Sequence, residues 1–430
     1  MKIRKLLFVA AMAFCSVAWG QNNEKLIIVN EGLWQSNNGR LSYFENGNMV
    51  SNRWYEEINH RALGDTPSDI IQINDNLVAI TVNGSNIVQF ITPEGKDVAA
   101  NEEIPNCRRL ASDGKYVYVT SYAHECTVNG ITKSFVKGYV AKIDISNFKV
   151  VAATEVGYEP DGIAFYKGCL FVANTGGYSY QEAHDYERTV SVLDAESMEV
   201  KRTVNTGCMN LFGKISRSGQ YLCINSAGDY YSQNTTTLIF DCQAAIDGKA
   251  DSECFKTFDY SSTYNTVSPQ GLFYVIGSHF SFTTGQYKNN YITINPEKAF
   301  SANPASAVTE TLPGTMVEDI SKFKAPYGIY VNPYTGYLYA TDAGDYVSNG
   351  TLYQWNPEGK YVGKWSTYIN PAYFLALPPD GHFGAVDDII ADDKRPADNT
   401  IYNMQGIPVS HMIPGQIYIQ NGRKFIYREN

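Results

Sequence analysis

An apolar run of five residues recurs seven times along this chain, and it constrains the fold more than any other feature. Each run consists mostly of aliphatic and aromatic residues, and it ends at or next to a small or polar residue. The runs are residues 26–30, 77–81, 117–121, 170–174, 221–225, 272–276 and 337–341. Their starts lie between 40 and 65 residues apart. Repeats of this length are typical of solenoids and propellers.

Each repeat contains the same four short segments, and the best-defined unit lies in the middle of the chain. A first strand (residues 161–165) and the apolar strand (170–174) are separated by a tight turn. A loop rich in Gly and Tyr follows, then a third strand (189–194) and a fourth (200–204). Four antiparallel strands joined by tight turns form a propeller blade. The alternation and the density of turn residues exclude a helical solenoid.

Composition agrees with a β fold, since the 430 residues include 32 Tyr and 20 Phe, and aromatic side chains suit a pleated surface. We therefore predict an all-β protein, a seven-bladed β-propeller spanning residues 21–378. The first unit lacks its first strand, whereas residues 370–377 have the pattern of one without the rest of a unit. We expect this last strand to pair with the first blade, closing the ring and removing exposed edges.

The N-terminus has the pattern of an export signal over residues 1–20. Lys2, Arg4 and Lys5 precede an apolar stretch, and small residues precede a cleavage point at Gln21. A lipoprotein would use Cys15, although the preceding Phe14 is large for that processing step. The sequence therefore predicts an exported chain, at the outer-membrane surface, in the periplasm or outside the cell. It leaves open whether the mature protein is lipid-anchored, sorted by another route or soluble.

The C-terminus differs from the repeats. Residues 379–398 are acidic and irregular and are interpreted as a linker. Residues 399–430 contain Gln405-Gly406 and Asn421-Gly422 between short apolar runs, which is a hairpin pattern. This segment is similar to C-terminal β segments of secreted Bacteroidetes proteins, some of which are sorting signals of the type IX system. A simple strand pair packed on the ring is the alternative.

Charge and cysteine content limit partners and crosslinks. The net charge of −10 disfavours nucleic acid as a partner, because an acidic surface repels phosphates. Seven cysteines remain after signal removal, so at least one thiol is unpaired. We predict disulfides between Cys107 and Cys126, which flank a strand pair, and between Cys242 and Cys254, which flank a short insertion.

Three segments carry a family resemblance: residues 27–44 (IIVNEGLWQSNNGRLSYF), residues 63–91 and residues 156–178. Together they resemble the YncE-like or surface-layer-like propellers of gut Bacteroidetes, most closely the cobalamin-binding surface propellers that sit on a vitamin B12 outer-membrane transporter. The resemblance implies a non-catalytic protein that needs no cofactor. Such a protein captures a corrinoid and passes it to a TonB-dependent transporter.

Propeller geometry places the loops after the second strands and before the first strands on one face, around the channel. Tyr and Trp combine flat apolar area with a polar edge, and clustered exposed aromatics mark a binding surface. A corrinoid or a glycan would suit this chemistry. The residues that we assign to this ligand-binding face are Trp34, Asn37, Tyr122, Tyr178, Tyr180, Phe212, Tyr230, Tyr231, Phe280, Phe282, Tyr327, Tyr346 and Tyr373.

Catalytic motifs are not recognised in the sequence. The six histidines form no His-x-x-x-His pair and no Gly-x-Ser-x-Gly elbow occurs. His124, His184 and His279 fall on the predicted ligand face, and Asp229, Asp342 and Asp345 lie in its loops. Whether any of them binds a metal is left open. We assign no catalytic residue, and a propeller lactonase or lyase is the least favoured interpretation.

Overall fold

The structure is a computed structural model that describes residues 24–179, 181, 183–229, 235–281, 286–379, 381–383, 401, 417–420 and 423–426. Its strands form seven four-stranded antiparallel sheets and two separate hairpins. The predicted all-β, seven-bladed propeller is therefore confirmed. The predicted signal segment and most of the predicted linker lie outside the described residues, and those assignments stay predictions.

The first thirteen strands build blades one to three. They are β1 (Lys25–Asn30), β2 (Arg40–Glu45), β3 (Asn48–Ser51), β4 (Pro67–Asn74), β5 (Leu77–Val82), β6 (Ile87–Ile91), β7 (Asp97–Asn101), β8 (Cys107–Ser112), β9 (Tyr116–Ser121), β10 (Glu125–Val128), β11 (Ile131–Ser134), β12 (Tyr139–Asp144) and β13 (Lys149–Glu155). Blade two is β4–β7, and blade three is β8, β9, β12 and β13. The β10–β11 hairpin is inserted between the second and third strands of blade three.

The remaining strands build blades four to seven, the closing strand of blade one and a C-terminal hairpin. They are β14 (Pro160–Tyr166), β15 (Cys169–Asn174), β16 (Thr189–Asp194), β17 (Val200–Asn205), β18 (Ser216–Ser218), β19 (Tyr221–Ser226), β20 (Thr236–Asp241), β21 (Phe255–Phe258), β22 (Tyr264–Val267), β23 (Phe273–Ser281), β24 (Gln286–Ile294), β25 (Val308–Thr309), β26 (Pro326–Val331), β27 (Leu338–Asp342), β28 (Thr351–Trp355), β29 (Tyr361–Ser366), β30 (Pro371–Leu377), β31 (Ile417–Gln420) and β32 (Arg423–Ile426). Each of the four blades takes four consecutive strands from β14 onward, ending with β29.

Short helices occupy some of the connections between strands. They are α1 (Trp54–Asn59), α2 (Cys242–Ile246), α3 (Pro296–Ala299) and α4 (Met316–Ile320), with 3-10 turns at Asn83–Ser85, Asp251–Glu253 and Pro304–Ala307. Among the described residues, none of these helices is long and apolar enough to cross a membrane.

The ring closes as predicted, because β30 is the innermost strand of blade one. It pairs antiparallel with β1, so that Val29 lies opposite Tyr373 and Lys25 lies opposite Leu377. The buried residue Glu24, which directly precedes β1, stabilises the same junction. Its carboxylate accepts hydrogen bonds from Asn332 Nδ2 (3.0 Å) and Gln354 Nε2 (2.8 Å) of blade seven.

Seven buried apolar clusters lie among the described residues, one between each pair of neighbouring blades. The strand alternation explains this arrangement, since successive side chains point to opposite faces of a sheet. In β30, Phe374 and Ala376 face blade seven, whereas Leu377 belongs to the cluster shared with blade two. The core is thus a closed circle of inter-blade layers.

A repeated polar contact also links the blades. The threonines near the ends of three second strands, Thr81, Thr120 and Thr341, each donate to a carbonyl on the first strand of the next blade. The acceptors are Arg108 (2.8 Å), Asp161 (2.7 Å) and Pro371 (2.6 Å).

Within the predicted C-terminal hairpin, β31 pairs antiparallel with β32, with Gln420 opposite Arg423. The Gln405-Gly406 turn lies outside the described residues. Whether the hairpin acts in sorting stays a prediction.

The two predicted disulfides are not formed in the structure, which carries all seven described cysteines as free thiols. Three of the four sulfurs lie near backbone carbonyls. Cys107 Sγ lies 3.4 Å from the carbonyl of Ile87, and Cys126 Sγ lies 3.6 Å from that of Thr127. Cys254 Sγ faces the carbonyl of Ala250 at 3.4 Å, and Cys242 is fully buried beside it in one apolar cluster. All four are buried, and as free thiols they pack as small hydrophobes.

Candidate functional site: the channel and its rim

A β-bulge recurs at the start of the innermost strands, where these strands enter the central channel. In β8, Arg108 and Arg109 together oppose one residue of β9, because the register shifts between Cys107 and Leu110. The same shift occurs at the start of β4, β14 and β26, and between β1 and β30. Bulges re-aim side chains and are common beside functional sites. Here they turn charged and aromatic residues towards the channel.

The residues before these bulges adopt a left-handed backbone. Thr66, Asn106, Glu159, Asn210 and Asn370 have φ between 42° and 60°, each just before the first strand of a blade or the segment leading into it. Positive φ is uncommon for residues other than Gly, and a β-branched residue such as Thr66 is a real outlier there. Strain of this kind persists only where the surrounding structure holds it, often at binding sites.

Asp161 anchors a buried cluster of charge on the channel wall. Its Oδ1 lies 3.2 Å from Arg108 Nε and 3.4 Å from Arg109 Nε, and its Oδ2 accepts the Gly213 amide at 2.7 Å. Burial alone would raise the pKa of this carboxyl, but the two guanidinium groups and the amide hold it below its ordinary value. Asp161 is therefore ionised at neutral pH.

A second ion pair, in which only the carboxylate is buried, crosses the channel. Lys214, in the segment leading into β18, places Nζ 2.7 Å from Asp69 Oδ1 of blade two. Asp69 also accepts the Leu110 amide through Oδ2 at 3.0 Å. The pair joins blades that are far apart in sequence.

Glu31 lies opposite these cations, just after β1. Its carboxylate accepts hydrogen bonds from the hydroxyls of Tyr327 and Tyr373, the latter at 3.1 Å. Burial raises the pKa of Glu31, and the tyrosine hydroxyls and Arg109 offset only part of that effect.

These groups surround a cavity of about 470 Å³ in the channel. Its polar wall includes Glu31, Ser68, Arg108, Arg109 and Lys214. The rest is mostly aromatic and aliphatic: Phe212, Ile215, Tyr264, Val267, Tyr327, Ile329, Tyr330, Val331, Tyr373 and Phe374. The volume lies within the range of small-molecule pockets.

The predicted aromatic face separates into a rim and a buried layer. Trp34, Phe212 and Tyr346 are exposed at 63, 39 and 50 %, and Asn37 is exposed beside Trp34. Tyr122 is only 5 % exposed. The guanidinium carbon of Arg108 lies 4.4 Å from the centroid of the Tyr122 ring and covers it. Tyr122 is therefore part of the wall and not of the open rim.

The structure brings the other described tyrosines into two groups. Tyr178 meets Tyr122 edge-on at 5.3 Å between centroids, and its hydroxyl accepts from Asn106 Nδ2 at 3.2 Å. Tyr327 contacts Tyr346 at 5.8 Å and shares Glu31 with Tyr373, whose ring packs 4.6 Å from the Arg109 guanidinium.

The remaining assigned residues cannot be placed at the rim. Tyr180, Tyr230, Tyr231 and Phe282 lie outside the described residues, as does the side chain of Phe280. Their assignment to the ligand-binding face stays a prediction.

The loop residues considered for a metal have other contacts. The Asp342 carboxylate accepts the amides of Ala325 and Gly344, both at 2.9 Å, and that of Asp345 accepts the Ser348 amide at 2.7 Å. The ring of His184 stacks on Tyr158 at 3.9 Å. In the part of the chain that the structure describes, no three His, Cys, Asp or Glu side chains are grouped as metal ligands would be.

Sequence reasoning missed Arg108, Arg109, Lys214 and Glu31 as channel residues. The pattern "NCRRLAS" (residues 106–112) offered a clue, because two consecutive arginines interrupt the start of a first strand. A charged residue near that position also occurs in "PSD" (residues 67–69) and "PDG" (residues 160–162), which contain Asp69 and Asp161. Aligning the first strands with each other would have shown this.

No protein-family model and no curated protein matches the chain, whereas solved structures do. Hydrazine synthase from Kuenenia stuttgartiensis is 18 % identical, with a TM-score of 0.54 over 73 % of this chain and 90 % of that chain. A quinonprotein alcohol dehydrogenase-like protein from Bacteroides thetaiotaomicron is 10 % identical, with a TM-score of 0.51 over 82 % of this chain and 78 % of that chain. At such identities the likeness concerns the fold alone, and it supports a β-propeller.

Proposed function

We propose that this chain is a non-catalytic, exported binding protein that captures a corrinoid over the channel mouth and passes it to a TonB-dependent outer-membrane transporter. One observation carries the proposal. Three exposed aromatic side chains lie on loops next to a polar channel: Phe212 lines the cavity, Tyr346 contacts the lining residue Tyr327, and Trp34 lies on the loop that begins with Glu31. The sequence resemblance to cobalamin-binding surface propellers supplies the class of ligand.

Size favours the rim over the channel as the position of a corrinoid. A corrinoid is larger than the drug-sized molecules that pockets of about 300–1,000 Å³ enclose, whereas the channel cavity holds about 470 Å³. A flat macrocycle would cover the mouth, resting on aromatic edges. Its peripheral amides would pair with loop amides such as Asn37 and with backbone groups.

A glycan-binding or protein-binding role of the same rim is the second candidate. Exposed Trp and Tyr side chains also suit sugar rings and protein surfaces. We favour binding over catalysis because the channel carboxylates Asp69 and Asp161 are each engaged by cations at 2.7–3.4 Å. A carboxylate held in this way is a poor general base.

The deciding experiment is a calorimetric titration of residues 21–430 with cyanocobalamin at micromolar protein. We expect saturable heat, a change in corrinoid absorbance and recovery of the ligand unchanged. A folded protein that gave neither heat nor an absorbance change would rule out the corrinoid and promote the glycan or protein ligand.

Replacing rim aromatics should map the footprint of the ligand. Trp34→Ala, Phe212→Ala or Tyr346→Ala should weaken corrinoid binding by about 1–3 kcal/mol where the ring contacts the ligand, because aromatic hot spots carry much of the binding energy. Tyr361→Ala is the matched control, as Tyr361 is 42 % exposed but lies on the outer strand β29. If no rim variant binds more weakly than this control, the ligand does not use the rim.

A further inference from the structure

The channel cavity presents cations to its interior and keeps most carboxylates behind them. The Lys214 side chain is 37 % exposed, whereas that of its partner Asp69 is 1 % exposed. The Arg108 side chain is 16 % exposed, whereas that of Asp161 is fully buried. Arg108, Arg109 and Lys214 line the cavity and the two aspartates do not. A molecule inside would therefore meet the positive ends of these pairs.

The side chains that line the cavity also carry more positive than negative charge. Three cations line the cavity, and Glu31 is the only carboxylate among the described lining residues. Two tyrosine hydroxyls already donate to Glu31, and its burial favours the neutral form. Attraction between charges is stronger where water is excluded, so the interior favours an anion.

Much of the cavity lining is apolar. Ile215, Val267, Ile329, Val331 and Phe374 are among the lining residues, and Ser68, which also lines the cavity, is hydrogen-bonded to Arg108 and Arg109. Pockets that combine apolar walls with a few placed polar groups bind small organic molecules. An inorganic ion would leave the apolar lining residues without a contact.

We propose that the channel is a second binding site, distinct from the rim, for a small organic anion whose carboxylate or phosphate lies against Lys214 and Arg108 and whose apolar part lies against Ile329 and Phe374. This site does not depend on the identity of the rim ligand. Benzoate and phenyl phosphate are suitable probes, because each joins one of the two anionic groups to an apolar ring. Benzyl alcohol is the neutral counterpart.

The test is ligand-observed NMR and calorimetry on residues 21–430 at constant ionic strength and without any corrinoid. We expect benzoate or phenyl phosphate to bind at least about tenfold more tightly than benzyl alcohol, as hydrogen bonds to charged groups are the stronger ones. The two anions together identify which group the site prefers. Equal binding of benzyl alcohol, or binding of neither anion, would overturn the proposal without any variant being needed.

A matched pair of variants locates the site. Lys214→Gln should weaken anion binding about tenfold, and Lys214→Arg should retain most of it. Lys201, on the outer strand β17, forms a surface ion pair with Asp194. Lys201→Gln removes the same charge as Lys214→Gln but far from the channel, and it should leave anion binding unchanged. Equal loss in Lys214→Gln and Lys201→Gln would show a general charge effect and contradict a channel site. The cyanocobalamin titration is separate, so either proposal can fail alone.

Discussion

A chain that ends at Ile369 should fail to fold cooperatively, because it lacks β30. That strand supplies Phe374 to the cluster shared with blade seven and Leu377 to the cluster shared with blade two. Removing buried Phe and Leu side chains costs roughly 5–10 kcal/mol together, which is comparable with the whole stability of a domain. The exposed edge of β1 would also invite aggregation. Circular dichroism and size-exclusion chromatography measure the outcome.

A chain that ends at Asp398 is the matched control. It retains β30 and the contact of the Phe383 amide with Asp75 Oδ1 at 2.5 Å, and it loses only the segment containing the β31–β32 hairpin. We expect its melting temperature to match that of residues 21–430. If both truncated chains unfold at the same temperature, ring closure by β30 does not stabilise the protein.

Blade number and ring closure could be predicted from the sequence because both depend on local pattern. The apolar second strand of each blade is buried on both faces, as in β5 and β15, so every repeat shows a continuous run. The closing strand was recognisable since Pro371–Leu377 has the pattern of a first strand without a blade of its own.

The channel charges could not be predicted in the same way, because they meet through the closure of the ring. Lys214 and Asp69 are 145 residues apart in sequence, and Asp161 meets Arg108 from the neighbouring blade. The sequence shows two arginines at the start of a first strand, but it does not show which groups of other blades they meet once the bulge turns both into the channel.

Burial of individual tyrosines was equally hidden. Tyr122 and Tyr346 both follow a second strand, but Tyr122 is buried beneath Arg108 and Tyr346 is half exposed. A tyrosine suits either environment, since it has an apolar ring and a polar end. Whether a tyrosine is buried depends on the residue that covers its ring, and that residue comes from another part of the repeat.

Asp161→Asn should lower the free energy of unfolding by about 3–5 kcal/mol, because breaking a buried ion pair leaves a buried charge without compensation. Here two guanidinium groups lose their shared carboxylate. Chemical denaturation at pH 7 measures the effect. Lys201→Gln, which breaks the exposed Lys201–Asp194 pair, should change the free energy of unfolding by no more than about 1 kcal/mol. A loss as small as this control in Asp161→Asn would mean that the cluster is not coupled to folding.

The same comparison has a defined pH dependence. Because the folded-state pKa of Asp161 is lowered, its contribution is fully present above the unfolded-state value of about 3.9. It is lost as the pH falls through the folded-state pKa. The stability gap between the natural protein and Asp161→Asn should therefore be constant from pH 7 to about pH 5, and narrow below about pH 4. A gap that narrowed already between pH 7 and pH 5 would indicate that a different group, such as Glu31 with its raised pKa, controls the charge of the channel.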